Sequence, residues 1–342
     1  MESPGFTRAY RFQKQENYQM KAIVSTRYGT PDVLELKEVE KPTPKDKEVL
    51  VKVHATSVNA ADWHLLTADI FLVRLAAGMF KPKNTILGCD IAGTVEAVGK
   101  DVKQFKPGDA VFGDAFSYHY GGLAEYVAVT ESVLALKPAN LSFDEAAAVP
   151  LAAITALQGL RDLGQIQPGQ KVLINGASGG VGTFAVQIAK HYGAEVTAVC
   201  STRNLAIAQS LGACHVIDYT KEDFTRNGQQ YDLILAANGN LPVSAYRRAL
   251  TPTGMCVMTG GNPSQTFPVM FLGPLMSKKN GQRFGMLTLK PNPKDLPLLK
   301  GLLETGKITP VIDRRYALSE ARDAFRYFGE GHAKGKVVIN VA

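Results

Sequence analysis

The chain has 342 residues, enough for two domains with separate cores. Hydrophobic residues make up 45% and charged residues 20%, an ordinary globular composition with no apolar run long enough to span a bilayer. The net charge of +7 comes from scattered Lys and Arg with no dense basic block, which argues against a nucleic-acid partner. The four cysteines, Cys89, Cys200, Cys214 and Cys256, form no C-x-x-C pair. They read as reduced thiols of a cytoplasmic compartment, and their spacing fits no structural zinc lobe.

Residues 1–19 are polar, carry Arg8, Arg11 and Lys14, and read as a disordered tail without a secretory signal. The first strand is expected at 20–24. Further strands are expected at 49–53, 91–98, 110–112 and 124–129, with a turn at Pro107-Gly108-Asp109 and another at Gly121-Gly122. Short strands punctuated by Gly and Pro predict a compact β-barrel-like unit. Ser142 with Glu145 three residues on is a capping box, and a helix rich in Ala and Leu is expected from there through Leu160.

Residues 171–190 organise the rest. Val172-Leu173-Ile174 is the apolar run of a buried parallel strand. A turn with Gly176, Gly179, Gly180 and Gly182 follows, and Val181, Phe184, Ala185, Ile188 and Ala189 then recur at helical spacing. Glycines let backbone pass close to a diphosphate, and a new helix offers free N–H groups and a positive dipole end. Ala177, Gly179 and Gly182 occupy the three positions of the G-x-G-x-x-G fingerprint. No Gly-Lys-Ser/Thr closes the loop, which argues against ATP.

Beyond 190, strands are expected at 195–200, 215–217, 231–236 and 255–259, with a helix at 205–211 ended by Gly212. Repeated strand–helix units predict a parallel sheet with helices on both faces. Helices at 293–306 and 319–328 and a closing strand at 336–341 complete the chain. A nicotinamide dinucleotide is the natural occupant of such a sheet. An acid at the end of the second strand would bind a ribose 2′-OH, but no acidic residue occurs from Val196 to Ile217. Ser201 and Arg203 stand there instead, a hydroxyl and a guanidinium suited to a 2′-phosphate. The expected cofactor is NADPH.

A small β unit, the motifs LGCDIAGTVEAVG, PGDAVFGD and ASGGVGTFAVQIAK, and the closing HAKGKVVINV together resemble the medium-chain dehydrogenase/reductases, over nearly the whole chain after Met20. The resemblance implies an α/β fold: a GroES-like β-barrel catalytic domain at 20–145, a Rossmann doubly wound parallel sheet at 146–290, and a return to the catalytic domain at 291–342. The zinc-binding branch places a Cys where this chain has Asn59, and Gly-His-Glu where it has Gly88-Cys89-Asp90. Its four-Cys lobe is missing, so no metal is expected. The chain is more similar to the zinc-free quinone oxidoreductase branch, whose Asn-x-x-Asp matches Asn59 and Asp62. His64 stands where that branch has a tyrosine. The same resemblance implies cofactor contacts at Thr155, Ser178, Gly179, Gly180, Val181, Gly182, Tyr219 and Lys336. It also implies a homodimer through a sheet edge, which the stretch 284–289 suits.

The expected reaction is hydride transfer to a quinone or an α,β-unsaturated carbonyl, acceptors reactive enough to need no Lewis acid. The amide of Asn59 is the first expected donor to the developing oxyanion and a cofactor ribose hydroxyl the second, and either His64 or solvent supplies a proton. Asp62 and Asp90 read as structural and Cys89 as a small core residue. The apolar stretch 69–80, with Phe71, Leu72, Leu75, Met79 and Phe80, suits either the wall of a greasy pocket or interdomain packing, and 271–276 is a second candidate for the same wall. Two rivals remain open: a zinc alcohol dehydrogenase with an atypical site, and an NADPH-binding protein without catalysis.

Overall fold

The computed structural model describes residues 19–238, 240–261, 269 and 281–341. The expected tail lies outside the described residues except for Gln19, and so does 271–276. β1 (Gln19–Val24) and β2 (Glu35–Glu40) pair antiparallel. β3 (Glu48–Val58), β4 (Asp90–Val98), β5 (Ala110–Asp114), β6 (Tyr126–Thr130) and β7 (Leu134–Leu136) then build a larger antiparallel sheet. Its hub is β3, which pairs with both β4 and β6, while β5 joins β4 to β7. Val49, Val51 and Val53 of β3 alternate into a core with Ile91, Val111, Val127 and Val129, as the period of a strand requires. Between β3 and β4 lie two short helices, α1 (Ala60–Thr67) and α2 (Phe71–Ala77).

The capping box at Ser142 forms as expected: its hydroxyl accepts from Glu145 N, and the Glu145 carboxylate accepts from Ser142 N at 2.8 Å. The helix it opens does not run through to Leu160. α3 (Phe143–Ala147) stops, and Pro150 begins a second helix, α4 (Pro150–Gln158), followed by a π turn over Gly159–Leu163. Proline has no N–H to continue a helix and is favoured at the first position of a new one. Every residue of α4 is buried, and it shares one core with residues of both sheets, among them Ala55, Phe112, Ile174 and Leu235.

β8 (Lys171–Asn175), β9 (Glu195–Cys200), β10 (His215–Asp218), β11 (Tyr231–Ala236), β12 (Leu250–Met258) and β13 (Arg283–Met286) form an all-parallel sheet. The strand order is β10-β9-β8-β11-β12-β13. Counted from β8, this is the 3-2-1-4-5-6 order of the doubly wound dinucleotide-binding sheet. Val172, Leu173 and Ile174 sit at its centre with no exposed surface. The helix α5 (Gly180–His191) crosses from β8 to β9, and the next crossover starts on the other side of β8. That reversal opens a crevice at the carboxyl ends of the strands.

The chain then returns to the first sheet. β14 (Ile312–Ala317) and β15 (Lys336–Asn340) pair in parallel, and β15 pairs antiparallel with residues 55–58 of β3.

One glycine fixes how closely α5 sits on the turn before it. A Cβ on Gly182 would lie 2.1 Å from Gly176 O and 2.7 Å from Ala177 Cα, both backbone atoms that cannot swing aside. Gly182→Ala is therefore expected to lower the unfolding free energy by about 1–3 kcal/mol, as overpacking does elsewhere. Urea denaturation measures it, and an unchanged midpoint would refute the tight approach.

Candidate active site

A cleft of about 310 Å³ lies at the switch point between the two sheets. Ser178, Gly179, Gly180, Val181 and Gly182 line its floor. Gly176 makes the turn out of β8 with φ +85, and Gly179 is the extended residue that precedes α5. A Cβ on Gly179 would meet nothing closer than Gly176 O at 3.6 Å, so this stretch of backbone is open to the cleft. Bare backbone beside the start of a twelve-residue helix fits a dinucleotide diphosphate. The first sheet grips the same loop: Gly335 N donates to Ser178 O at 2.8 Å, and Gly179 and Gly335 form a parallel bridge.

At one end of the cleft stand Ser201, Arg203 and Tyr219. Arg203 reaches the opposite wall, where its Nη2 donates to His332 O at 3.4 Å. Asn204, absent from the sequence expectations, also lines the cleft and holds both Ser178 and Ser201. The first acid after Glu195 is Asp218. Its carboxylate accepts from Thr202 Oγ1 and from Thr220 N and Oγ1, and these hydrogen bonds hold its pKa below the usual range. It is spent on threonines and does not line the cleft.

At the other end Asn59 and Lys336 meet. Lys336 is 3% exposed, and its Nζ donates to Asn59 Oδ1 and, at 3.1 Å, to Asp90 Oδ2. Asp90 is fully buried and accepts three more hydrogen bonds: from Ser57 Oγ at 2.5 Å, Asn59 Nδ2 at 2.9 Å and Leu151 N at 2.8 Å. The Asn59 amide is therefore not free for a substrate, as the sequence suggested, because its donors face Asp90 and Ser57 O. The cation at this end is the Lys336 ammonium, which lines the cleft while paired with Asp90. Lys336 was expected beside the diphosphate; its stem packs against the glycine loop, since a Cβ on Gly180 would come within 2.9 Å of Lys336 Cδ.

Two expected site residues are not brought to the cleft. His64 is on the outer part of α1, paired with Asp69 at 2.8 Å. Thr155 is buried within α4 and donates to Leu151 O. Nor does 69–80 form a wall. Helix α2 buries none of its residues, and Phe71 and Phe80 are 64% and 92% exposed. Asp62 holds the loop as read, accepting from Asn59 N, Gly88 N, Cys89 N and Cys89 Sγ.

The donor set does not suit zinc. Burial pushes the Cys89 thiol up, the Asp62 charge adds to this, and the proton it keeps is donated to Asp62 at 3.1 Å. Among the described residues no three His, Cys, Asp or Glu side chains cluster to hold a metal ion, and no helix is long and apolar enough to cross a membrane.

A doubly wound sheet with a glycine loop at its switch point, facing a second sheet that lends a buried cation across the crevice, defines a nicotinamide-dependent oxidoreductase. The chain belongs to the medium-chain dehydrogenase/reductase superfamily, in its quinone oxidoreductase-like branch. Residues 45–139 match the alcohol dehydrogenase GroES-like domain, and 211–339 match the family described as zinc-binding dehydrogenase. A chloroplast envelope quinone oxidoreductase homolog of Arabidopsis thaliana is 36% identical, over 90% of this chain and 93% of its own. A chloroplastic NADPH-dependent alkenal/one oxidoreductase of the same plant is 35% identical, over 94% and 79%. Among solved structures, the quinone oxidoreductase from Coxiella burnetii superposes with a TM-score of 0.83 at 31% identity, over 95% of this chain and all of that one.

Lys336→Met leaves the Asp90 charge without this cation and is expected to cost about 3–5 kcal/mol of stability. Adding Asp90→Asn should recover most of it, whereas additive losses in the double-mutant cycle would show that the pair is not coupled. A second expectation concerns pH. Burial pushes Asp62 from its ordinary 3.8 up to about 6, so folding takes up a proton between these values. The stability cost of ionising Asp62 is absent below about pH 4 and complete above about pH 6. Asp62→Asn is expected to change the stability difference between about pH 4 and about pH 7 by on the order of 3 kcal/mol relative to wild type. Parallel pH profiles of the two proteins would contradict this.

Proposed function

We propose that this chain is an NADPH-dependent, zinc-independent reductase of quinones or α,β-unsaturated carbonyls. The observation that carries the reading is the buried ammonium of Lys336, held by Asn59 and Asp90 at the far end of a glycine-loop cleft. The names of the Arabidopsis and Coxiella relatives support it.

A bound nicotinamide supplies the hydride. The residues of this chain bind and polarise. Ser201, Arg203 and Tyr219 suit a 2′-phosphate, and the glycine loop suits the diphosphate. Thr155, buried with its hydroxyl donated to Leu151 O, is given no cofactor contact. Lys336 offers a fixed positive charge where negative charge develops on an acceptor oxygen, and its two acceptors hold it there without reorganisation. Quinones and enones need only that much help. With His64 tied to Asp69 away from the cleft, solvent is the better source of the final proton.

The domain division at 145 and 290 gives the dinucleotide to the parallel sheet. Its edge strand β13 is the surface we assign to a homodimer. Free, mostly buried thiols suit a reducing compartment such as the cytoplasm.

An NADPH oxidation assay over a panel of quinones and enones, with NADH as comparison, tests the reading. Turnover should survive exhaustive chelation. Arg203→Ala should raise KM for NADPH about tenfold and leave NADH unchanged. Stoichiometric zinc in purified protein would favour an alcohol dehydrogenase, and tight NADPH binding without turnover of any acceptor would favour a non-catalytic role.

A further inference from the structure

Asn204 closes the short turn Thr202–Asn204 after β9 and is 4% exposed. Its neighbour Arg203 projects outward, but Asn204 turns in. Its Nδ2 donates to two hydroxyl oxygens, Ser178 Oγ of the glycine loop and Ser201 Oγ at the end of β9, each at 3.1 Å. Its Oδ1 is buried with no partner. An orphaned acceptor is a cost that an apolar side chain of the same size would not carry. What this side chain contributes here is therefore the work of its nitrogen.

A hydroxyl has one proton to give and two lone pairs to receive. An amide N–H on one lone pair of each serine leaves both serine protons uncommitted. Among the described residues neither hydroxyl has another hydrogen-bond partner, and both serines line the cleft beside Arg203 and Tyr219. One amide thus turns two hydroxyls, from separate segments, into a pair of donors facing the same wall. An acceptor at this position would do the reverse. It would draw both protons inward and present lone pairs, which repel a phosphate and welcome a ribose hydroxyl.

We infer that Asn204 is the positioning residue that sets cofactor preference, by orienting Ser178 and Ser201 as donors toward an adenosine 2′-phosphate. The inference rests on the NADPH reading above and adds the residue that enforces it.

Asn204→Asp keeps the shape and inverts the polarity at the same two contacts. Dissociation constants for NADPH and NADH, from titrations of nucleotide fluorescence, read the effect without turnover, and the melting temperature of the protein alone reports folding. NADPH binding is expected to weaken about 100-fold, since two donors to a charged group are lost. NADH binding should hold or tighten, so the preference inverts. Asn204→Leu lacks both polarities and fills the site. It is expected to lose about tenfold in NADPH affinity with no gain for NADH, and it carries the test if the aspartate variant does not fold. Wild-type preference in the folded variants would overturn the role of Asn204 alone. A wild-type protein that binds NADH at least as tightly as NADPH would overturn the cofactor reading itself.

Discussion

A carboxylate and an ammonium taken out of water must each be surrounded by partners, and satisfying Asp90 and Lys336 fixes much else in this molecule. Asp90 opens β4, and Lys336 opens β15, 246 positions later. Asp90 gathers the end of β3 through Ser57 and Asn59, and the start of α4 through Leu151 N. Four stretches of chain are thereby held in one register at the cleft. A shift in any of them would leave a buried charge short of a partner. The Lys336 end of the cleft is thus set by charge satisfaction, while the packing around it is set by ordinary apolar burial.

The glycine loop is drawn into the same arrangement. Gly180 has no side chain to collide with the Lys336 stem, and Gly335, one residue before that lysine, bonds to the loop backbone at Ser178. The glycine loop and the cation are therefore two ends of one braced unit. The opposite end of the cleft is held separately, by Asn204 between two serines and by Arg203 across to His332.

What the sequence made legible was what short-range rules control. The strand at 171–175, the glycine turn, the strands at 195–200 and 231–236 and the capping box at Ser142 all carry their signals within a few residues. Pro150 was equally visible, but Ala and Leu on both sides of it read as one continuous helix. Asn59 lines the cleft, but its amide donors are held by Ser57 O and by Asp90, 31 positions away, a contact that the motif alone does not reveal. The place of His64 followed from counting along a motif, which says nothing of the direction a side chain takes on a helix. The stretch 69–80 showed apolar composition, but composition alone cannot say which side of a helix is covered, and α2 buries none of its residues. Asn204 gave no signal at all, since its role lies in two hydroxyls brought together only by the fold.

The pairing of β15 with β3 has a consequence for synthesis. All six strands of the parallel sheet have left the ribosome before β14 and β15 appear, and that half can close while translation continues. The other half cannot. Residues 55–58 of β3 emerge early and wait, with one edge bare, for nearly the entire remaining chain. A nascent or prematurely terminated polypeptide therefore carries an open strand edge, the kind of surface that chaperones shield and that templates aggregation.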